Sequence, residues 1–440
     1  MESPPSETLQ QWMESKAEPF DSLEEAALDP LLERIGDARV VLIGEASHGT
    51  AEFYRMRQRI TAELIRKAGF RRIGIEGDWP DVERVDEYVR GRKPKPSPMR
   101  QAFQRFPDWM WRNREVLEFV DWLEDHNRAL ADEAQGVGIH GLDLYSLYGS
   151  IHEVLGYLQR NSDPQTLEAA RAAYANLLAY EPEPQAYGQA VEYGIEKAQE
   201  SELLELLGEL MEERLQAAGA QKELVFDAEQ NARVAANAEA YYRSMFRRGR
   251  ESWNLRDSHM FETLQMLMEL DGEDGGKAIV WAHNSHLGDA RFTEMSRRGE
   301  HNIGQLAREE YGDAVYSIGF GTHTGTVAAA DDWDEPVEIK NVNPSMEGSH
   351  EQLCHRLAKG NFLLPLREAR KSDVGREPMY ERAIGVIYRP HTEFASHYFK
   401  ADLPGQFDEY IWFEESQAVT PLGREKAPSL PQGHPFALVD

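Results

Sequence analysis

The sequence predicts an α/β protein with a mostly parallel central sheet flanked by helices and a large helical insertion that covers a cleft. Short apolar runs rich in β-branched residues recur along the chain, and helical patterns separate the early runs. This alternation is typical of parallel strands covered by helices on both faces. The runs that predict buried strands are 39–43, 72–75, 136–140, 278–281, 314–320, 383–388 and 409–413.

The strand signals stop between residues 150 and 270, where Glu, Ala, Leu and Gln recur at helical spacing. We therefore divide the chain into residues 1–149 as the first part of the α/β core, 150–270 as the helical insertion and 271–440 as the second part of the core. Proline cannot continue a helix, so EPEPQAYG interrupts the insertion and KPKPSP marks an exposed loop. PSLPQGHPF reads as an extended tail.

Charge and composition exclude several classes of partner. The chain carries 48 Lys and Arg against 77 Asp and Glu, a net charge of −29, and such a surface repels nucleic acid. The single cysteine, Cys354, excludes an intramolecular disulfide and suits a reducing cytoplasm. Neither an export signal nor a run of eighteen apolar residues is visible. We expect a cytoplasmic protein without a membrane partner.

Ionisable residues follow the first four predicted strands. In an open parallel sheet, ligands bind outside the carboxyl ends of the strands. These ends carry Glu45 and His48, then Glu76 and Asp78, then His140 and Asp143, then His283 and His286. We interpret Asp78 as a helix cap and His140 as a core histidine. Buried polar groups rarely gather without a shared use, so the remaining glutamates and histidines predict a functional site.

The segment after GEASHG predicts a helix over about residues 51–67, with Thr50 as its N-cap and Gly69 at its end. Its apolar stripe contains Phe53 and Ile60, and Arg57 falls inside that stripe. A buried guanidinium needs a carboxylate partner, and Glu45 or Glu76 can supply one.

Motif searches remove some chemistries and leave others open. Neither GxSxG nor GxxxxGK[ST] occurs, which argues against a serine hydrolase elbow and a P-loop. HEQLCH at 350–355 spaces its histidines five apart and is read as chance, and GFGTHTG at 319–325 as a turn at a strand end. The spacing of His283 and His286 suits metal ligands as well as proton-transfer or oxyanion groups.

Several motifs together resemble the erythromycin esterase family of hydrolases. The matching segments, in the family's order, are GEASHGTAEFYRMR, IGIEGDW, FPDWMWRN, HGLDLYS, QNARVAANAEAYYRSM, WNLRDSHM, VWAHNSHLG, AIGVIYRP and HYF. The resemblance implies an α/β fold with a helical part over a deep cleft. It also implies hydrolysis of a macrolide lactone, a form of antibiotic resistance, by water that a histidine activates.

By position, His48 resembles the family's general base. The residues that match the other polar groups of the family's cleft are Glu45, Arg57, Glu76, His283 and His286. The resemblance implies no required metal or other cofactor. Two carboxylates and three histidines can nevertheless hold zinc or manganese.

Aromatic and basic residues outside this set are candidates for binding the substrate. Trp109 and Trp111, near Asp108, can wall a cleft for an apolar substrate or pack beneath the insertion. Arg256 is a candidate cleft contact, and Asp257 beside it reads as a helix cap.

The sequence therefore predicts a carboxylic ester hydrolase acting on a small-molecule ester or lactone. His48 would act as general base, with Glu45 or Glu76 orienting its ring, and His283 or His286 would stabilise the oxyanion or protonate the leaving alkoxide. One alternative is a divalent-metal-dependent hydrolase of another ester, an amide or a phosphoester. Another is a non-catalytic binder of an apolar ligand.

Overall fold

The structure is a computed structural model that describes residues 8–93, 102–131, 136–217, 220–246, 249–270, 276–372, 374 and 378–423. The predicted loop KPKPSP beyond Lys93 and the predicted tail PSLPQGHPF lie outside the described residues. The described helices are α1 Leu9–Lys16, α2 Asp29–Ile35, α3 Ala51–Ala68, α4 Trp79–Val89, α5 Arg114–Arg128, α6 Leu147–Asn161, α7 Pro164–Leu178, α8 Pro184–Glu192, α9 Glu200–Gln216, α10 Ala220–Ser244, α11 Gly249–Glu269, α12 Asn284–Leu287, α13 Met295–Arg298, α14 Ile303–Tyr311, α15 His350–Arg356, α16 Arg367–Lys371, α17 Glu393–Ser396 and α18 Leu403–Gln406.

The described strands form one large sheet and one small one. They are β1 Glu18–Phe20, β2 Val40–Ile43, β3 Arg72–Asp78, β4 Gly138–Asp143, β5 Ala278–Trp281, β6 Val315–Ala329, β7 Glu338–Val342, β8 Asn361–Pro365, β9 Met379–Arg382, β10 Tyr398–Ala401 and β11 Glu409–Ser416. The large sheet has the order β1-β8-β11-β6-β2-β5-β3-β4, with β7 paired to β6, and β9 and β10 form a separate pair.

Most neighbours in the large sheet are parallel, as the sequence predicts. All pairs from β11 through β6, β2, β5 and β3 to β4 are parallel, whereas β1, β7 and β8 pair antiparallel. Strand β5 lies between β2 and β3, with Ala278 opposite both Val40 and Arg72. The carboxyl ends of β2, β5, β3 and β4 are therefore adjacent, and the loops that follow them meet at one edge.

Helices cover both faces of this sheet. In β2, Val41 and Ile43 pack into a hydrophobic cluster with Phe53 of α3, whereas Leu42 packs into a second cluster with Leu264 of α11. Residues on successive positions of a strand point to opposite faces, which explains the uninterrupted apolar sequence of the central strands.

Helices α6 to α10 bury a hydrophobic cluster of their own, which includes Ile151, Tyr174, Leu206 and Tyr241. Helix α11 departs from this arrangement, because Met260 and its neighbours pack with the sheet strands. The last helix of the stretch 150–270 thus covers the sheet. No helix among the described residues combines the length and apolar character that crossing a bilayer requires.

Two local predictions are wrong. The segment 383–388 is not a strand: it forms single parallel bridges from Ile384 to Ser47 and from Ile387 to Ala330, and neither bridge continues into a ladder. The segment 319–325 is not a turn but lies inside β6, paired with β11 from Gly319 to Gly325. The six other predicted strands correspond to β2, β3, β4, β5, β6 and β11. Their ends are shifted by a few residues, except that β6 continues to Ala329, beyond its predicted end at residue 320.

Candidate active site

The loop after β2 follows a path that its two glycines permit. A Cβ atom on Gly44 would lie 2.2 Å from Oδ1 of Asn284, and one on Gly49 would lie 2.0 Å from the carbonyl oxygen of Ala328. The glycines therefore allow close approach of neighbouring segments. Thr50 is the N-cap residue of α3, as predicted, but its side chain makes no capping bond and instead contacts the hydroxyl of Ser47 at 2.5 Å.

Glu45, His48 and Arg57 form the centre of the site. Nδ1 of His48 lies 2.9 Å from Oε1 of Glu45, and Nη2 of Arg57 donates to Oε2 of the same carboxylate at 2.7 Å. Glu45 and Arg57 are fully buried. The inward orientation of Arg57 is thus confirmed, and the structure selects Glu45 as its partner.

Aromatic rings surround the Arg57 guanidinium. The central guanidinium carbon, Cζ, lies 4.2 Å from the centre of the Tyr54 ring, 4.9 Å from that of Trp281 and 5.7 Å from that of Trp111. Ring faces attract a cation, most strongly where water is excluded. These three aromatic rings and the Glu45 carboxylate together stabilise the buried positive charge of Arg57.

Glu76 connects the end of β3 to the two histidines after β5. Oε2 of Glu76 accepts the backbone N–H of His283 at 2.8 Å, and Oε1 accepts from Nη2 of Arg256 at 2.8 Å. Burial alone would raise the pKa of Glu76, but the neighbouring His286, His48 and Arg256 outweigh it and hold that pKa well below the usual value. Glu76 is therefore an ionised, fixed carboxylate.

His283 is a neutral imidazole beside His48. The centres of the two rings are 5.0 Å apart. Nδ1 of His283 accepts the backbone N–H of Ser285 at 3.2 Å and caps helix α12. Burial, reinforced by the proximity of His48, lowers the pKa of His283 to about 3.

His286 carries a charge that its neighbours stabilise. Its Nδ1 lies 2.9 Å from both carboxylate oxygens of Asp257, and its ring stacks on Trp253 with the centres 4.6 Å apart. Burial opposes the charge, but Asp257 and Glu76 outweigh it and raise the pKa of His286 to about 9. His283 and His286 therefore hold different protonation states at neutral pH.

Arg256 contacts Asp143, Glu76 and His286. Its Nε and Nη2 donate to the two oxygens of Asp143 at 2.9 and 2.6 Å, in addition to the bond with Glu76, and its Nη1 lies 3.0 Å from Nε2 of His286. The ring of Tyr145 covers the guanidinium at 4.8 Å. Arg256 lies beside Glu76 and His286, and its Nε and Nη2 are directed to the carboxylates of Asp143 and Glu76.

The predicted aromatic wall is instead part of the hydrophobic core. Trp109 and Trp111 are 2% and 3% exposed, and both pack in the cluster that contains α3. Nε1 of Trp109 donates to the carbonyl of Ala328 at 3.2 Å, and Nε1 of Trp111 to that of Glu76 at 2.7 Å. Asp108 is also buried. The tryptophans thus position the strand ends and leave no indole face exposed to a substrate.

Asp78 and His140, interpreted from the sequence as a helix cap and a core histidine, both contact residues of the surrounding fold. Asp78 occupies the cap position of α4 without a capping bond; its carboxylate accepts the backbone N–H of Ser146 at 3.0 Å and pairs with Arg105. His140 is buried and stacks on Trp79, and burial lowers its pKa to about 3.

Sequence reasoning missed Asp257 as a site residue. It was interpreted as a helix cap, but α11 begins at Gly249, so Asp257 lies in the helix interior and is fully buried. The sequence does indicate that Asp257 is buried, because helical spacing places it in the apolar stripe with Trp253 and Met260. The same helical phase that predicts an inward Arg57 predicts an inward Asp257.

The carboxylates of the site are already paired with cations, Glu45 with Arg57 and Glu76 with Arg256. Among the described residues, one group of three possible metal ligands has its ligand atoms within 4.8 Å of one another. That group, His323, His355 and Glu414, lies elsewhere. The donor set around His48 is therefore arranged for hydrogen bonds and ion pairs.

Fold and site define an α/β protein with a buried histidine, glutamate and arginine cluster at the carboxyl edge of its parallel strands. The erythromycin esterase family model matches residues 65–416, and the chain belongs to the erythromycin esterase family, which makes it a hydrolase. The matched range contains Glu76, His283 and His286 but begins after His48.

Relatives and solved structures match over nearly the whole chain. The Escherichia coli protein named erythromycin esterase type II is 22% identical over 93% of this chain and 98% of its own length. The crystal structure of a protein titled succinoglycan biosynthesis protein superposes with a TM-score of 0.76 at 21% identity, over 94% of this chain and 98% of that one. A mutant of the erythromycin esterase EreC in its open conformation gives 0.64 at 17% identity, over 97% and 99%. These structures share the fold.

Proposed function

We propose that this hydrolase cleaves a carboxylic ester or lactone with water that His48 activates as a general base. The observation that carries the proposal is the chain of contacts from Arg57 through Glu45 to His48, at 2.7 and 2.9 Å. A base must be held in one orientation and one tautomer to accept a proton efficiently. This chain of contacts supports both requirements.

The contact with Glu45 defines which nitrogen of His48 can act. Nδ1 donates to the carboxylate, so in the neutral ring Nε2 carries the lone pair. The hydroxyl of Tyr54 donates to the backbone carbonyl of His48 at 2.9 Å and holds that residue in place. His48 is also, at 7%, the most exposed of the six candidate catalytic residues, so water reaches it most readily.

The Glu45 carboxylate lies where it can stabilise the charge that forms on His48 during the reaction. When Nε2 takes a proton from the attacking water, the imidazolium forms next to this carboxylate. Arg57 holds that carboxylate in place. The proton on Nε2 then passes to the leaving alkoxide, so one residue serves as base and afterwards as acid.

His283 is the residue best placed to stabilise the oxyanion. Its Nδ1 accepts a hydrogen bond, so its neutral ring carries the proton on Nε2. That atom is buried and makes no hydrogen bond to a side chain among the described residues, and the backbone of Ala46 lies nearby. A donor of this kind beside the attacking base suits the charge that develops on the ester carbonyl. His286 and Arg256 act indirectly, because both hold Glu76, which in turn holds the backbone of His283.

Macrolide lactones are the first substrates to test, because the relative from Escherichia coli carries the name erythromycin esterase. The purified chain is incubated with macrolides and simple esters, with and without EDTA, and products are weighed by mass spectrometry. We expect a product heavier by one water for at least one ester or lactone, formed equally with EDTA. Loss of activity with EDTA would contradict the metal-free mechanism. Ligand binding with no product from any compound would contradict hydrolysis.

A further inference from the structure

Three arginine side chains converge on one buried carboxylate, that of Asp408. This aspartate immediately precedes β11, whereas Arg308 lies on α14 and Arg367 and Arg370 lie on α16. Nη2 of Arg308 donates to Oδ2 of Asp408 at 2.7 Å. On the other oxygen, Oδ1, Nε of Arg367 lies at 3.4 Å and Nη2 of Arg370 at 3.5 Å. The carboxylate is fully buried, so the three guanidinium groups share one fixed negative charge.

Backbone hydrogen bonds fix this cluster at the amino ends of β6 and β11. The N–H groups of Leu366 and Arg367 both donate to the carbonyl of Asp408, at 2.8 and 3.0 Å, which anchors the start of α16. The carboxylate of Asp408 accepts the backbone N–H of Ser317, on β6, at 3.0 Å. Because β6 runs parallel to β2, the cluster lies at the edge of the sheet opposite to the one that carries His48. It is therefore separate from the candidate active site.

Positive charges outnumber negative ones in this cluster. Asp408 compensates one of the three guanidinium charges. The carboxylate of Asp313 lies 3.7 Å from Arg367, but its side chain is 81% exposed, so water screens most of its effect. Burial, together with Arg308 and Arg367, outweighs the attraction of Asp408 and lowers the pKa of Arg370. About two positive charges therefore remain without a counterion inside the cluster.

The next residue of β11 shows how this chain usually pairs a buried arginine. Arg34 donates to the carboxylates of both Glu18 and Glu409, so one guanidinium has two acceptors. Burial opposes its charge, but Glu409 and Glu18 outweigh it and raise the pKa of Arg34. Around Asp408 the ratio is three guanidinium groups to one carboxylate. In a chain with 48 Lys and Arg against 77 Asp and Glu, acidic partners are plentiful, so this excess is a local feature.

Some hydrogen-bonding capacity of the cluster is unused. Nε of Arg308 and Nε of Arg367 are buried and make no hydrogen bond to the described part of the chain. A buried donor on a charged group is costly when it has no acceptor. The side chains of Arg308, Arg370 and Arg367 are 9%, 14% and 21% exposed, so a small solute can reach the cluster from solvent. An anion with several oxygen atoms would supply both the missing charge and the missing acceptors.

We propose that Arg308, Arg367 and Arg370 bind a phosphate group, as the free ion or as part of a phosphorylated small molecule. Guanidinium groups present paired N–H donors that match the oxygen atoms of phosphate. A phosphate group carries a charge of about −1.5 to −2 near pH 7, which matches the two uncompensated charges of the cluster. Chloride or a carboxylate carries a single charge and matches it less well. A bound phosphate would join α14 to α16 at the amino edge of the sheet.

The test is calorimetric titration of the full-length chain with sodium phosphate, with sodium chloride at matched ionic strength as the control. We expect one phosphate per chain, an affinity that falls as salt is added, and a higher melting temperature in phosphate than in chloride. Sodium acetate should bind more weakly than phosphate. Titration with glycerol phosphate distinguishes the two sources: tighter binding of the ester assigns the site to a phosphorylated molecule, and weaker binding assigns it to the free ion.

Two variants should change the affinity in opposite directions. Arg370→Gln removes one guanidinium and should weaken phosphate binding about 10–100-fold, the range expected for a lost hydrogen bond between charged groups. Asp313→Asn removes an exposed like charge beside Arg367 and should strengthen phosphate binding by up to about fivefold. Because the side chain of Asp313 is exposed, this second variant tests the site without disturbing the core.

Arg291→Gln is the matched control, because Arg291 is a partly exposed arginine that pairs with the carboxylate of Asp289. This variant should bind phosphate with the affinity of the wild-type chain. The proposal is overturned if the wild-type chain binds phosphate no more tightly than chloride. It is also overturned if folded Arg370→Gln and Asp313→Asn both bind phosphate with unchanged affinity.

Discussion

Arg57 donates to Glu45 across 2.7 Å, and neither side chain is exposed to solvent. Removing one partner of a buried ion pair leaves an uncompensated charge and typically costs about 3–5 kcal/mol. We therefore expect Arg57→Met to lower the free energy of unfolding by about that amount in urea denaturation. The effect should be far larger than that of Arg66→Met, since Arg66 is half-exposed beside Glu63.

The double variant Glu45→Gln/Arg57→Met completes this comparison. Because it removes both charges, its loss of stability should be smaller than the sum of the two single losses, with an interaction energy of about 0.5–3 kcal/mol. Additive losses would show that the two side chains do not act as a pair.

The raised pKa of His286 makes stability depend on pH. Its folded pKa is about 9, against about 6.5 in the unfolded chain. The stabilisation is therefore present in full below about pH 6.5 and is lost as the pH rises through about 9, a change on the order of 3 kcal/mol. Urea unfolding at about pH 6 and about pH 9.5 measures it.

Asp257→Asn provides the control for this pH dependence, because the carboxylate of Asp257 is the main group that raises the pKa of His286. The variant should be less stable at low pH and should lose most of the difference between the two pH values. An unchanged difference would mean that other groups produce it.

Arg256 should not be replaceable by lysine. Two of its nitrogens bind the two oxygens of Asp143, and one of them also binds Glu76, a forked geometry that an ammonium cannot reproduce. Losing a hydrogen bond to a charged group costs about 1.5–3 kcal/mol, so Arg256→Lys should lower kcat/KM by about 10–100-fold. Arg128→Lys, at an exposed pair with Glu124, is the matched control and should leave kcat/KM unchanged.

Gly49 is required by the packing of the loop that carries His48. An added Cβ would lie 2.0 Å from the carbonyl of Ala328, so Gly49→Ala should destabilise the fold by at least about 1–3 kcal/mol. Gly208 lies in helix α9 with no atom within 4 Å of an added Cβ, and Gly208→Ala should stabilise by about 0.5–1 kcal/mol. Thermal melts compare the two, and equal shifts would contradict the packing argument.

Hydrophobic periodicity and the polar residues that follow the predicted strands located much of the site. The apolar runs located β2, β3, β4 and β5, whose carboxyl ends hold Glu45, Glu76 and His283. Helical phase predicted that Arg57 points inward, since local geometry decides which face of an amphipathic helix is buried. These features depend on nearby residues, so the sequence contains them directly.

Partners across the fold could not be predicted in the same way. The choice of Glu45 over Glu76 for Arg57 depends on how α3 packs on a sheet in which β5 separates β2 from β3. The meeting of His323 with Glu414 depends on the register between β6 and β11. Strand 383–388 was predicted because its composition is apolar and β-branched, but a strand also needs a neighbour that runs beside it.

The most direct test of the account replaces His48 by asparagine and measures turnover of an ester or lactone that the wild-type chain hydrolyses. Asparagine can keep a hydrogen bond to Glu45 but cannot accept the proton, and general base catalysis contributes about 10²–10⁴-fold. The account predicts that the folded variant loses kcat by a factor in this range while it still binds the substrate. Normal turnover by folded His48→Asn would contradict the assignment of His48 as the base.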